Sequence, residues 1–346
     1  MNKKALGLLV ALSLGAVTGC GAEKYSVGLG YSFSYSYTAD KAETTDKNEE
    51  QGQVDLTVAC AAFDSKGKVY DVRFDVVQVK FTANEDRTGL VLTNKNVDAD
   101  NSVTTKLELG SAYGMVAYGK AVAEVNAQIE SFADWCAGKT VEEVIAGTPG
   151  AGHGVAINEE LTGKVTITVD AFEAALKDAF DRKTEATYEL KGTAGVAMQS
   201  GLAYNYGKPA KDVGIDVAGV FANEGKVEAA LIDAIVVPMT WEGEIAVKAD
   251  NYYNKDGVLR SKKVLGDEYG MKGTGTNSAT GEACTKEWYE QAAIVEKAAE
   301  GKTKTEISAF VANEGELAGA TITLTNYIKA LAKATDYAGR AVINAN

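Results

Sequence analysis

Apolar and polar residues alternate from Tyr31 through Ser32, Phe33, Ser34, Tyr35 and Ser36 to Tyr37. A period of two predicts a strand with one apolar face, and those aromatics are read as packing on a core. Asp40–Gln53 is acidic and polar and reads as a loop. Two apolar runs follow, Val54–Phe63 and Lys68–Val79, separated by Ser65-Lys66-Gly67. This predicts a hairpin in which Gly67 supplies the positive φ of a tight turn. Further on, Val122, Val125, Ile129, Phe132 and Cys136 recur at three- and four-residue spacing, the mark of one buried helix face. Gly138 is placed to end that helix in a left-handed conformation. Thr140-Val141-Glu142-Glu143 then fits a capping box that starts a second, short helix. A strand-like Val165–Val169 and a helix carrying Phe172, Leu176 and Ala179 complete the series.

The same series returns in the second half. Leu202, Tyr204 and Tyr206 alternate, and Phe221-Ala222-Asn223-Glu224-Gly225-Lys226-Val227 matches Phe63 to Val69. Leu109-Gly110-Ser111-Ala112-Tyr113-Gly114-Met115 matches Leu265-Gly266-Asp267-Glu268-Tyr269-Gly270-Met271. Trp288, Ala292, Val295 and Ala299 supply the helix face, Gly301-Lys302-Thr303 matches Gly138-Lys139-Thr140, and Thr303-Lys304-Thr305-Glu306 is again a capping box. A strand-like Ala320–Leu324 leads to a helix with Tyr327, Ile328 and Leu331. Four matched blocks in one order, about 155 residues apart, indicate a tandem duplication of a domain-sized unit. The expected fold is α+β, two tandem homologous domains, each an antiparallel-rich sheet packed with helices. Repeat one is assigned to residues 24–184, a linker to 185–191, repeat two to 192–337 and a tail to 338–346.

Composition narrows the chemistry. The chain has 346 residues, one His, four Cys and a formal charge of −13. A single His excludes a multi-His metal site, and the acidic balance argues against a nucleic-acid partner. His153 lies in a glycine-rich loop with no copy in repeat two. The matched Asp75 and Asp233 give one carboxylate per repeat, which is not the pair a hydrolase needs. Cys60, Cys136 and Cys284 have no CxxC spacing and read as buried free thiols rather than a regulatory disulfide. The Gly-Lys-Thr blocks are not P-loops, because Ala133 and Glu296 stand where the first glycine is required.

Lys3 and Lys4 precede an apolar run, Ala5 to Val17, that is too short to span a bilayer. It ends in Val17-Thr18-Gly19-Cys20, which resembles a bacterial lipobox. The resemblance implies a signal peptide at 1–19, a lipidated N-terminus at 20–23 carried on Cys20, and an extracytoplasmic protein anchored in the bacterial membrane. An ordinary signal peptide is the alternative.

The order of blocks resembles the FMN-binding domain of bacterial electron-transfer proteins, including flavin-carrying subunits of sodium-pumping quinone reductase and Rnf complexes. Ser65-Lys66-Gly67-Lys68-Val69 resembles that family's first turn. Glu108-Leu109-Gly110 with Tyr113-Gly114 resembles its second block, and the helices ending in Lys139 and Lys302 its third. Ala318-Gly319-Ala320-Thr321-Ile322-Thr323 is the closest match, to a segment whose first Thr can carry FMN through a phosphoester. The resemblance implies FMN at Thr321, with Gly319 and Ala320 as small neighbours and Tyr269, Gly270 and Met271 as a cleft wall. It implies weaker counterparts at Thr166, Tyr113, Gly114 and Met115. A flavin transferase and a membrane reductase would be the partners, and electron transfer at the cell surface the role. The sequence departs from the family pattern at Gly315, Ala318 and Lys164, and repeat one carries an extra residue before Thr166. A non-catalytic surface lipoprotein that binds a small ligand or an envelope partner is the alternative function, and a plain spacer or adhesin a third.

Overall fold

The computed structural model describes residues 22–39, 50–99, 101–148, 158–203, 208–241, 243–249, 253–255, 257–276, 281, 283–312 and 314–338. Cys20, His153, Tyr204, Tyr206 and residues 40–49 of the acidic loop lie outside that set.

The fold is α+β. In repeat one, β1 (Ser26–Thr38), β2 (Gln51–Phe63), β3 (Val69–Ala83) and β4 (Leu90–Leu92) form an antiparallel sheet in that order. Next come α1 (Lys106–Leu109), a 3₁₀ turn (Gly110–Tyr113), α2 (Met115–Gly119), α3 (Val125–Cys136), α4 (Val141–Ala146) and α5 (Asp170–Asp181). Repeat two runs in parallel. Its sheet is β5 (Thr193–Leu202), β6 (Asp212–Asn223), β7 (Lys226–Thr240) and β8 (Ala246–Val247), beside a small hairpin of β9 (Asn254–Lys255) and β10 (Val258–Leu259). Its helices are α6 (Lys262–Leu265), α7 (Trp288–Ala299), α8 (Lys304–Ser308) and α9 (Thr325–Tyr337).

The local chemistry sets these boundaries. Thr140 and Glu143 form a reciprocal capping box at α4, as do Thr303 and Glu306 at α8. Gly138 and Gly301 take φ of 78° and 74°, which lets the chain turn away after α3 and α7. Helix α5 lies so close on β1 that a Cβ on Gly28 or Gly30 would collide with backbone atoms of Ala175 and Ala179. Gly195 of β5 stands in the same relation to Ala334 of α9.

Each sheet is buried on both faces. The outer face of the first packs under α3, α4 and α5 through Phe74, Phe132 and Phe172. The outer face of the second packs under α7, α8 and α9 through Ile232, Trp288 and Tyr327. The inner faces meet each other, and Leu56, Val58, Val77 and Phe81 share one core with Ile215, Val217, Ile235 and Val237. Tyr31, Phe33, Tyr35 and Tyr37 pack against this central core. The layers therefore run helix, sheet, sheet, helix. Cys60, Cys136 and Cys284 are buried free thiols, and burial pushes the first two well above the usual thiol range.

Three expectations are corrected. Val165–Val169 and Ala320–Leu324 are not strands, and the site geometry below gives the reason. Val122 precedes α3 and is exposed. Residues 185–191, between the two repeats, pack against the fold: Tyr25 and Tyr188 exchange backbone hydrogen bonds at 2.8 and 3.2 Å, and Leu190 is buried in the central core. Phe63 and Phe221 are not structural equivalents. Phe63 pairs with Val69 and faces the helices, whereas Ala222 pairs with Val227 and Phe221 faces the central core. The second hairpin is one residue shorter, with Glu224 and Gly225 both at positive φ (50° and 76°), and a one-residue slip exchanges the faces of a strand.

Candidate flavin-site clefts

The segments around Thr166 and Thr321 are held by a side chain, not by a neighbouring strand. Gln128 of α3 turns its Oε1 toward Thr166 N (2.8 Å), Thr166 Oγ1 (3.3 Å) and Ile167 N (3.2 Å), all of which donate to it. Its Nε2 donates to Ala123 O at 2.7 Å. Gln291 of α7 repeats the arrangement with Thr321 N (2.7 Å), Thr321 Oγ1 (3.1 Å) and Ile322 N (3.1 Å). Both amides are buried. An amide oxygen that takes two consecutive backbone donors removes their need for a ladder. Both threonines are half-buried, outside the sheets, just before the last helix of their repeat.

A second anchor fixes the opposite wall. The Glu124 carboxylate accepts from Met115 N (2.9 Å) and Val116 N (3.2 Å). Glu287 accepts from Met271 N (2.8 Å) and Lys272 N (3.1 Å). Gly114 and Gly270 turn the chain into these walls at φ of 79° and 67°. The blocks expected to form a cleft wall, Tyr113-Gly114-Met115 and Tyr269-Gly270-Met271, are thus placed alike. Sequence reading missed Gln128, Gln291, Glu124 and Glu287. The signal was present, since each Gln lies ten residues before the matched glycine at 138 or 301 and each Glu four before its Gln.

The two sites then diverge. In repeat one a cleft of about 420 Å³ opens among Tyr113, Met115, Val125, Thr166, Ile167 and Phe172, with Lys106 and Lys120 at its edge. Lys106 Nζ lies 5.2 Å from the centre of the Tyr113 ring. In repeat two the place of Val125 is taken by Trp288, whose indole is buried, and the place of Phe172 by Tyr327. Their ring centres are 5.8 Å apart. Lys262, the counterpart of Lys106, stands 5.4 Å from the Tyr269 ring and 5.5 Å from the Trp288 ring. Cys284 Sγ lies 3.8 Å from Thr321 Oγ1. Gly319, at φ 89°, and the buried Ala320 lead into Thr321.

The matched aspartates also diverge. Asp75 Oδ1 accepts from Val76 N (2.7 Å) and Leu107 N (3.1 Å), and Asp233 Oδ1 accepts from Ala234 N (2.8 Å) and Lys263 N (3.1 Å). Burial, helped by the nearby Glu108 charge, pushes Asp75 up to about 7. Asp233 instead has Arg182 Nη1 of repeat one at 3.9 Å. Glu108 in turn is bound by Lys333 of repeat two at 2.7 Å, so each repeat lends the other a cation. Among the described residues no group of His, Cys, Asp or Glu is arranged to hold a metal ion.

No protein-family model matches this chain, and no solved structure matches it. A curated protein named chlorophenol reductase, from Desulfitobacterium hafniense, is 28% identical over 182 residues. The match covers 49% of this chain and 54% of that protein, so the chain spans about half the length of that relative.

Proposed function

We propose that this chain is a lipid-anchored extracytoplasmic protein that binds FMN in the repeat-one cleft and passes electrons at the cell surface. The observation that carries this reading is the cleft itself. Its volume of about 420 Å³ lies within the usual range for small-molecule sites, roughly 300–1,000 Å³. Its walls are two aromatic rings, a methionine and aliphatic side chains, and Lys106 and Lys120 bring two ammonium groups to its lining. That donor set suits a flat heteroaromatic with an anionic tail. It is built on the segment, Thr166 to Thr168, that corresponds to the attachment segment of the resembled family. The name of the relative, a reductase, points to the same broad chemistry.

In this reading Met115, Val125 and Phe172 shelter the ring from water, and the Lys106 ammonium attracts the anion. Gln128 and Glu124 hold the two walls in position from outside the cleft. FMN, when bound, supplies one- and two-electron redox chemistry that no side chain here offers. A covalent form at Thr321 is the second version of the proposal. It is favoured by the closer segment match there and by a hydroxyl that stands outside the sheet.

The test is to produce the mature chain with and without a flavin transferase and measure flavin absorbance and intact mass. Bound yellow flavin that is lost in Val125→Trp supports the cleft. A mass gain of one FMN less a water, absent in Thr321→Ala, supports the covalent version. A colourless protein that takes up no added FMN overturns both.

A further inference from the structure

The repeat-one cleft has a neighbour on the other side of Tyr113. A second hollow of about 240 Å³ shares Lys106 and Tyr113 with it, and its far side is lined by Gln78, Lys80, Asn94, Asn96 and Thr104. The polar groups are pre-set. Asn94 Oδ1 accepts from Lys80 N at 2.7 Å, and its Nδ2 donates to Gln78 O at 2.9 Å. Asn96 Nδ2 donates to Thr104 O at 3.1 Å. No carboxylate lines either hollow, and Lys80 and Lys106 both line the second.

The carboxylates nearest in sequence to the Thr166 segment lie outside the lining of the cleft. Helix α5 starts just after Thr168 with Asp170 and Glu173 in its first turn. A helix N-terminus favours an anion, but here two carboxylates are already present and would repel another. Helix α9, after Thr321, has no acidic residue in its first turn. The end of repeat one that corresponds to the attachment site is therefore the worse place for a phosphate, and the annex past Tyr113 the better one.

We propose that the annex is the anion subsite of the repeat-one cleft. Lys80 and Lys106 take the phosphate end of FMN there, while the apolar walls take the ring, so the phosphate points away from Thr166 and is held without a covalent bond. The inference rests on the flavin reading above and adds an orientation to it.

The experiment titrates riboflavin and FMN separately into the full mature chain, made without a transferase, and follows quenching of flavin fluorescence. FMN is expected to bind about tenfold more tightly than riboflavin, the size of one charge-assisted contact, with the gap narrowing as salt is added. Lys80→Gln should close the gap and leave riboflavin affinity unchanged, and Asp170→Asn should alter neither ligand. Equal binding of the two flavins overturns the annex. So does a gap that Lys80→Gln leaves intact and Asp170→Asn widens, which would put the phosphate beside Thr166. In both cases the flavin reading stands. Failure of both flavins to bind overturns that reading and the annex with it.

Discussion

Position 125 holds a valine and its counterpart 288 a tryptophan, and the two repeats differ most where those side chains point. Around them the framework is nearly the same. Gln128 and Gln291 grip the same segment, Glu124 and Glu287 the same wall, and the two capping boxes start the same short helix. One repeat has an open cleft beside this position, and the other sets a buried indole there. A duplicated scaffold can thus keep the anchors of a site while one side chain changes the wall between them.

The largest effect should come from moving that side chain. Val125→Trp is expected to abolish flavin binding at repeat one, and a titration that still shows wild-type affinity would break the comparison. The reverse change, Trp288→Val, should cost about 4 kcal/mol of stability through the cavity it leaves. It should also create a second binding event, visible as a doubled stoichiometry.

Asp75 offers a test of repeat one through pH. Asp75 is held at about 7 in the folded chain, above the unfolded carboxylate range. It favours folding only while protonated, so stability should fall as pH rises from about 4 through 7. The loss is about 4 kcal/mol at pH 8, and Asp75→Asn should remove most of it in urea melts. If Asp75→Asn leaves the pH profile unchanged, burial of Asp75 is not what shapes it.

Smaller still are the tests of what the repeats share. Gln128→Leu and Gln291→Leu each strand two backbone donors and should cost about 2 kcal/mol apiece. A marked inequality between them would show that the two segments are not held alike. Thr140→Ala and Thr303→Ala should each cost about 1 kcal/mol in the same melts.

Much of this framework was legible in the chain, and the illegible parts have specific causes. The hairpin glycines, the capping boxes and the glycine ends depend on neighbours a few residues away, so local pattern reveals them. The segments at Thr166 and Thr321 look like strands because their residues suit strands, yet their backbone donors go to a glutamine about 38 or 30 residues earlier. The matching phenylalanines at 63 and 221 hide a hairpin shortened by one residue, and a face exchange leaves no trace in a matched motif. Alternation along a strand says which face is apolar but not what covers it, so the shared core was invisible. Trp288 reads as core on its helix as Val125 does, and only the packing around each shows what the difference in volume does to the wall beside it.

The central core has a consequence for the history of the chain. Once the inner faces of two sheets shelter each other, neither copy can be discarded. Deleting repeat two would bare Leu56, Val58, Val77 and Phe81 as one sticky surface. The second copy is therefore retained whatever becomes of its site. Duplication here works as a ratchet: selection on solubility preserves the partner, and the partner's pocket is left free to close, drift or acquire another use.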